Sequence, residues 1–226
     1  MGRGVLIVGE SGSGKSMSTR NMGKETFIIN VYKSELPYKK FNQKFPHTKS
    51  LPPKEGNYIE TVDINNILKI IKYLSSNRPD IKNIVIDDAL FIFSDEFMQK
   101  INQKGYTKFN NIGEHIWQLI RTYKNIREDM TIYFMWHPEE DTNAMGTYFS
   151  KGKMLGKLIS NLFSLEGLFT IVLFSEIQKT ESGWNHVFIH KSNPENTAKS
   201  PPGMFPDGSI SNDLTIVSKA MEKYYA

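Results

Sequence analysis

The chain has 226 residues, 39% hydrophobic and 12% aromatic, enough to bury a core within a single domain spanning residues 1–226. It has no cysteine, which excludes disulfide staples, thiolate metal sites and a cysteine nucleophile, and suits a reducing compartment. Its 28 basic and 24 acidic residues leave a formal charge of +4, which permits a polyanionic partner without establishing one.

The short apolar run after Met1-Gly2-Arg3-Gly4 is too brief for a signal-peptide core. No apolar stretch approaches the ~20 residues needed to span a bilayer. The expectation is a soluble, cytoplasmic protein without a membrane partner.

Val5-Leu6-Ile7-Val8 reads as a central parallel strand buried on both faces. A glycine-rich segment follows, and a helix is predicted from about Lys15 to Met22. Thr26 to Asn30 is the next strand. Residues 33–57 carry Pro37, Pro46, Pro52 and Pro53 without periodicity and are predicted to be a long loop. After a short strand from Tyr58 to Val62, Asp63 or Asn65 caps a helix striped by Ile64, Ile67, Leu68, Ile71 and Leu74. Asn77-Arg78-Pro79-Asp80 ends it. Asn83 to Asp88 is a buried strand closing in two carboxylates.

Helices are predicted over 89–101 and 109–128, the second striped by Ile112, Ile116, Leu119, Ile120 and Tyr123. Met130 to Trp136 is a strand ending at His137-Pro138. A polar loop, a helix over 153–162 and strands at Thr170–Ser175 and His186–His190 follow. The turn Glu181-Ser182-Gly183-Trp184 between those strands is a hairpin signal. A Pro/Gly-containing loop leads to a last helix over about 212–225. Strands alternating with helices imply an α/β fold, with a mostly parallel sheet, helices on both faces and a C-terminal β-hairpin extension.

Gly9-Glu10-Ser11-Gly12-Ser13-Gly14-Lys15-Ser16 matches G-x-x-x-x-G-K-[ST] in full, which marks a P-loop NTPase. The cradle runs from Gly9 to Met17. Its glycines permit a tight loop whose backbone N–H groups face phosphate oxygens, Lys15 reaches the β and γ phosphates, and the Ser16 hydroxyl ligates Mg2+. Asp87, directly after Ile84-Val85-Ile86, is placed to hold Mg2+ beside Ser16. Asp88 either polarises the attacking water or caps the helix starting at Ala89.

A strand-like segment, Thr26 to Asn30, lies in the chain between the P-loop strand and the Asp87 strand. In ATPases of the RecA and AAA type, another strand separates those two in space and an acidic residue primes water. The chain lacks an N-K-x-D guanine-reading motif and an arginine-rich lid, which favours ATP over GTP and hydrolysis over transfer to a small acceptor. A small-molecule phosphotransferase and a nucleotide-switched accessory with little turnover are the competing readings.

Gly9 to Ser16, Ile84 to Asp88, the strand ending at Trp136-His137 and the tail Asn196-Thr197-Ala198-Lys199-Ser200-Pro201-Pro202-Gly203-Met204-Phe205 together resemble a family of phage-encoded ATP-binding proteins. That family has a shortened RecA-like core and includes single-strand annealing proteins of the Sak type. The resemblance implies ATP- and Mg2+-dependent action on single-stranded DNA, by self-association into rings or filaments. It implies a γ-phosphate sensor role for His137. It also implies that Lys199, or less closely Lys191, completes the site of a neighbouring subunit. The sequence departs from the RecA pattern at Asn30, where a catalytic glutamate is expected; Glu35 and Glu60 are the substitutes, or the base shifts to Asp88.

Two segments are candidates for DNA contact. Lys39, Lys40 and Lys44 with Phe41 combine phosphate pairing with base stacking in the 33–54 loop, unless its aromatics pin the loop to the core or it makes a subunit contact. The connection 141–153 carries Lys151 and Lys153 after the His137 strand and is otherwise an ordinary mobile connection, and Glu139, Glu140 and Asp141 read as a solvated acidic turn.

Overall fold

The structure is a computed structural model that describes all residues except Tyr106, Asn143 to Met145, and Glu181 with Ser182. The middle of the 141–153 connection and the expected turn at Glu181-Ser182 lie outside the described residues.

In chain order the strands are β1 (Arg3–Val8), β2 (Thr26–Asn30), β3 (Tyr58–Glu60), β4 (Asn83–Asp87), β5 (Thr131–Trp136), β6 (Pro138–Thr142), β7 (Tyr148–Gly152), β8 (Ile171–Thr180), β9 (Gly183–Ile189) and β10 (Ile210–Ser211). The helices are α1 (Phe41–Lys44), α2 (Ile64–Asn77), α3 (Leu90–Gln99), α4 (Thr107–Arg121), α5 (Lys157–Ser160) and α6 (Leu214–Tyr225). The main sheet has eight strands in the order β10-β9-β8-β1-β5-β4-β2-β3, parallel from β8 through β3 and antiparallel from β8 to β10. The expected α/β sheet with a C-terminal hairpin is therefore observed.

Alternation along the strands splits the core in two. Leu6 and Val8 of β1, with Ile84, Ile86, Ile132 and Phe134, pack beneath α2, α3 and α4. Val5 and Ile7, with Val85, Tyr133 and Met135, pack beneath α6, Met22 and Phe45. α2 begins as expected, with the Asp63 carboxylate accepting from the N–H groups of Asn65 and Asn66. Ile64, Ile67, Ile70, Ile71 and Leu74 are its buried stripe.

Several elements differ from expectation, among them α1 inside the predicted 33–57 loop, the end of α4 at Arg121 rather than 128, and three further cases. The helix after the P-loop is a 3-10 helix, Ser16–Asn21. Ser18 Oγ donates to Lys15 O and Thr19 Oγ1 to Ser16 O, side-chain bonds that compete with an α-helical ladder, and Gly23 follows. The predicted polar loop after His137 is instead an antiparallel ribbon, β6 paired to β7 from Pro138↔Gly152 to Thr142↔Tyr148. Glu139, Glu140 and Asp141 thus lie in a strand, and Lys151 pairs with Asp141 and Glu139. The helix expected over 153–162 shrinks to α5.

No helix among the described residues is long and apolar enough to cross a membrane.

Candidate nucleotide site

The carboxyl ends of the parallel strands share one edge, because their registers align Val8 with Trp136 and with Phe174, Ile86 with Phe134, and Asn30 with Asp87. The residues that follow these strands therefore line up over the sheet: Gly9 after β1, His137 after β5 and Asp88 after β4. In open α/β sheets this edge is where ligands bind. β5 sits between the P-loop strand and the Asp87 strand, so the strand inserted between them in space is β5, while β2 lies outside β4.

A cleft of 370 Å³ opens at this edge, lined by Ser11, Gly12, Gly14, Lys15, Ser16, Met17, Ser34, Glu35, Pro37, Asp88, His137 and His186. Six of the predicted cradle residues, Ser11, Gly12, Gly14, Lys15, Ser16 and Met17, face it. Gly9 instead donates its N–H to Trp136 O at 3.1 Å, anchoring the start of the loop, and is packed so that a Cβ would lie 2.5 Å from Ser13 Oγ. Ser13 is buried, with its carbonyl oxygen bonded to Ser175 and His186, and Glu10 is exposed.

Lys15 is 5% exposed and folds back on its own loop, with Nζ donating to Gly9 O at 2.6 Å and Glu10 O at 2.9 Å. Burial pushes its pKa down, and the carboxylates of Asp88, Asp87 and Glu10 pull the other way. Ser16 Oγ donates to Asp87 Oδ1 at 2.9 Å, so the two predicted Mg2+ ligands are in contact. Asp87 is 3% exposed, and burial, then the neighbouring charge of Asp88, raises its pKa to about 7. The Ser16 hydroxyl and Lys15 act against that rise.

Asp88 does not cap α3. The N-cap position falls at Ala89, with no side-chain cap bond. A left-handed backbone, φ 58°, turns Asp88 into the cleft instead, a conformation costly for a residue with a Cβ. His137 Nε2 lies 3.3 Å from Asp88 Oδ1, close enough for charge pairing but off the line of a hydrogen bond, and this buried nitrogen has no other partner. Phe91 meets the His137 ring edge-on at 5.4 Å.

Asn30, the departure from the RecA pattern, is a structural clamp. Its Nδ2 donates to Ser34 O and to Tyr58 Oη, and its Oδ1 accepts from the Lys33 N–H. These bonds hold a turn in which Lys33 has φ 61°, and that turn delivers Glu35 to the cleft. Glu60 does not reach it; its carboxylate accepts from Tyr58 Oη at 3.2 Å. Of the two substitutes for the absent glutamate, the structure brings Glu35 to the site.

Lys199 lies away from the cleft, its backbone paired with Val172 on β8, and Lys191 pairs with Asp207. Of the predicted DNA contacts, Lys39, Lys40 and Lys153 are exposed, whereas Lys44 donates to Arg20 O and Lys151 is held by carboxylates. Phe41 packs against Tyr58 at 5.9 Å, Phe45 is fully buried, and Tyr38 bonds Thr19 through its hydroxyl. The loop aromatics thus pin the loop to the core. His186 and Glu35 complete the cleft from elements outside the P-loop motif.

A P-loop, an aspartate on a strand separated from it by β5, and a cleft edge bearing Asp88 and His137 define a P-loop ATPase fold of the RecA and AAA type. Residues 1–201 match the AAA domain family, and the chain belongs to it. No curated protein matches the chain. Among solved structures it is similar to a KaiC-like protein from the hyperthermophilic archaeon Pyrococcus horikoshii, with 15% identity and a TM-score of 0.46. That alignment covers 92% of this chain and 88% of the other.

Proposed function

We propose that this chain binds ATP with Mg2+ in the P-loop cleft, hydrolyses it, and couples that cycle to single-stranded DNA in recombination or annealing of the phage type. The observation that carries the nucleotide reading is the 2.9 Å contact between Ser16 Oγ and Asp87 Oδ1 at the floor of a cleft that also contains Lys15, Asp88 and His137. A hydroxyl and a buried carboxylate side by side are the hard oxygen donors Mg2+ takes, so the residues present fit the ion. Bound there with the triphosphate, Mg2+ would neutralise charge on the phosphate oxygens.

In this reading Lys15 leaves the Gly9 and Glu10 carbonyls for the phosphates, and the N–H groups of the loop supply the remaining donors. Asp88 takes a proton from the attacking water as the bond to the γ phosphorus forms and ADP leaves. His137, beside Asp88 with a free nitrogen, holds the γ-phosphate or that water. Asp88→Ala is expected to lower kcat by about 100-fold or more while ATP still binds. If Asp88→Ala turns over normally and Glu35→Ala does not, the base is Glu35.

The DNA reading is supported by the resemblance in sequence and by the exposed Lys39, Lys40 and Lys153. With its backbone on β8 and away from its own cleft, Lys199 is available to a neighbouring subunit in a ring or filament. The test is the mass in solution with ATP, with and without a single-stranded oligonucleotide, alongside phosphate release. Oligomerisation, DNA-stimulated turnover and affinity that falls steeply with salt are expected. A protein that stays monomeric and shows no salt-sensitive DNA binding with ATP overturns this part.

A further inference from the structure

Two side chains from late in the sequence converge on one backbone atom of the P-loop. The Ser13 carbonyl oxygen accepts from Ser175 Oγ at 2.9 Å and from His186 Nδ1 at 2.8 Å. A carbonyl only accepts, so His186 carries its proton on Nδ1 and its tautomer is fixed. Asn212 Nδ2 donates to Ser175 Oγ at 2.8 Å, which commits the serine's own hydrogen to Ser13. The Asn212 N–H donates to His186 O at 3.2 Å, joining the two arms behind the loop.

The consequence lies in the next peptide. The Ser13–Gly14 bond is trans and planar, so its C=O and N–H point in opposite directions. Holding the Ser13 carbonyl toward the β8–β9 hairpin turns the Gly14 N–H the other way, and Gly14 lines the cleft. Gly14 has φ 103°, and a Cβ there would lie 2.9 Å from His186 Nδ1 and 3.3 Å from Asn212 Oδ1. Glycine allows this close approach, but it also leaves the peptide free to rotate unless something outside the loop holds it.

We propose that His186, with Ser175, is a positioning residue for the phosphate cradle: it fixes the Ser13–Gly14 peptide with its N–H, rather than its carbonyl oxygen, presented to the nucleotide phosphates. This rests on the reading of the cleft as a nucleoside triphosphate site. With the latch lost, the peptide samples orientations in which an oxygen dipole faces a polyanion, and binding weakens before chemistry does.

The test compares ATP binding and steady-state hydrolysis of wild type, His186→Ala, His186→Asn and Lys15→Ala. His186→Ala is expected to raise Kd and KM for ATP by about tenfold, with kcat changed by less than about twofold. His186→Asn keeps an N–H donor close to the position of Nδ1 and is expected to restore most of the affinity, which a role in packing alone would not produce. A His186→Ala variant within about twofold of wild type in KM, a loss confined to kcat, or no recovery in His186→Asn overturns the proposal. If wild type and Lys15→Ala bind ATP equally, the nucleotide reading itself fails. Lys15-dependent binding that ignores His186 rejects only the latch.

Discussion

Lys15→Ala is expected to reduce ATP hydrolysis by about 100- to 1,000-fold and to weaken ATP binding by at least about tenfold. The size follows from how little other positive charge the cradle holds. In many P-loop proteins a long helix directs its N-terminal partial charge at the phosphates. Here the element after the loop is the 3-10 stretch Ser16–Asn21, so that contribution is small. The nearby cations are engaged elsewhere: Arg20 donates to Met17 O and Asn212 O, and Lys44 donates to Arg20 O. Removing Lys15 would leave Asp87 and Asp88 facing a triphosphate with no cationic side chain of the P-loop between them. Phosphate release and equilibrium binding measure the two effects separately. Undiminished hydrolysis would move the phosphate site away from this loop.

What the sequence revealed and what it hid divide along the range of the interactions. The P-loop and the Asp87-Asp88 pair are local patterns, an apolar run that ends in glycines or carboxylates, and both occupy the positions their spacing implied. The α2 cap at Asp63 and the buried stripes of α2 and α4 follow from helical periodicity alone. Strand order is non-local: nothing in residues 131–136 announces that β5 inserts between β1 and β4. The ribbon β6–β7 escaped because Pro138-Glu-Glu-Asp-Thr has no apolar alternation; its pairing is sustained by cross-strand contacts such as Lys151 with Asp141. His186 and Ser175 gave no signal, since each is an ordinary strand residue until the fold brings it 162 or more positions back to Ser13. Glu35 was considered because of the gap at Asn30, but only the turn clamped by Asn30 shows how it reaches the cleft.

Asp87→Asn is expected to stabilise the free protein while lowering Mg2+-dependent hydrolysis by at least about 100-fold. Asn preserves the shape and can still accept from Ser16 Oγ, but removes a carboxyl whose folded-state pKa is raised from 3.8 to about 7 by burial and by Asp88. The linkage sign is set by that rise. The folded protein holds a proton that the unfolded chain has released, so the contribution of Asp87 to stability falls as pH climbs from about 4 to about 7 and is constant above. Asparagine has no such titration. Its advantage should be smallest near pH 4, be present only in part at pH 5, and level off at about 4 kcal/mol above pH 7, a rise of several degrees or more in Tm for a chain of this size. Thermal unfolding in EDTA at pH 5 and pH 8 measures it, and equal differences at the two pH values would refute the cost assigned to the buried charge. A buried carboxylate that costs the empty fold stability, with the Ser16 hydroxyl bonded to it, is what the proposed cation site predicts. On the proposed reading, Mg2+ and phosphates bound there would offset that cost, so ATP with Mg2+ should raise the Tm of the wild type more than that of Asp87→Asn.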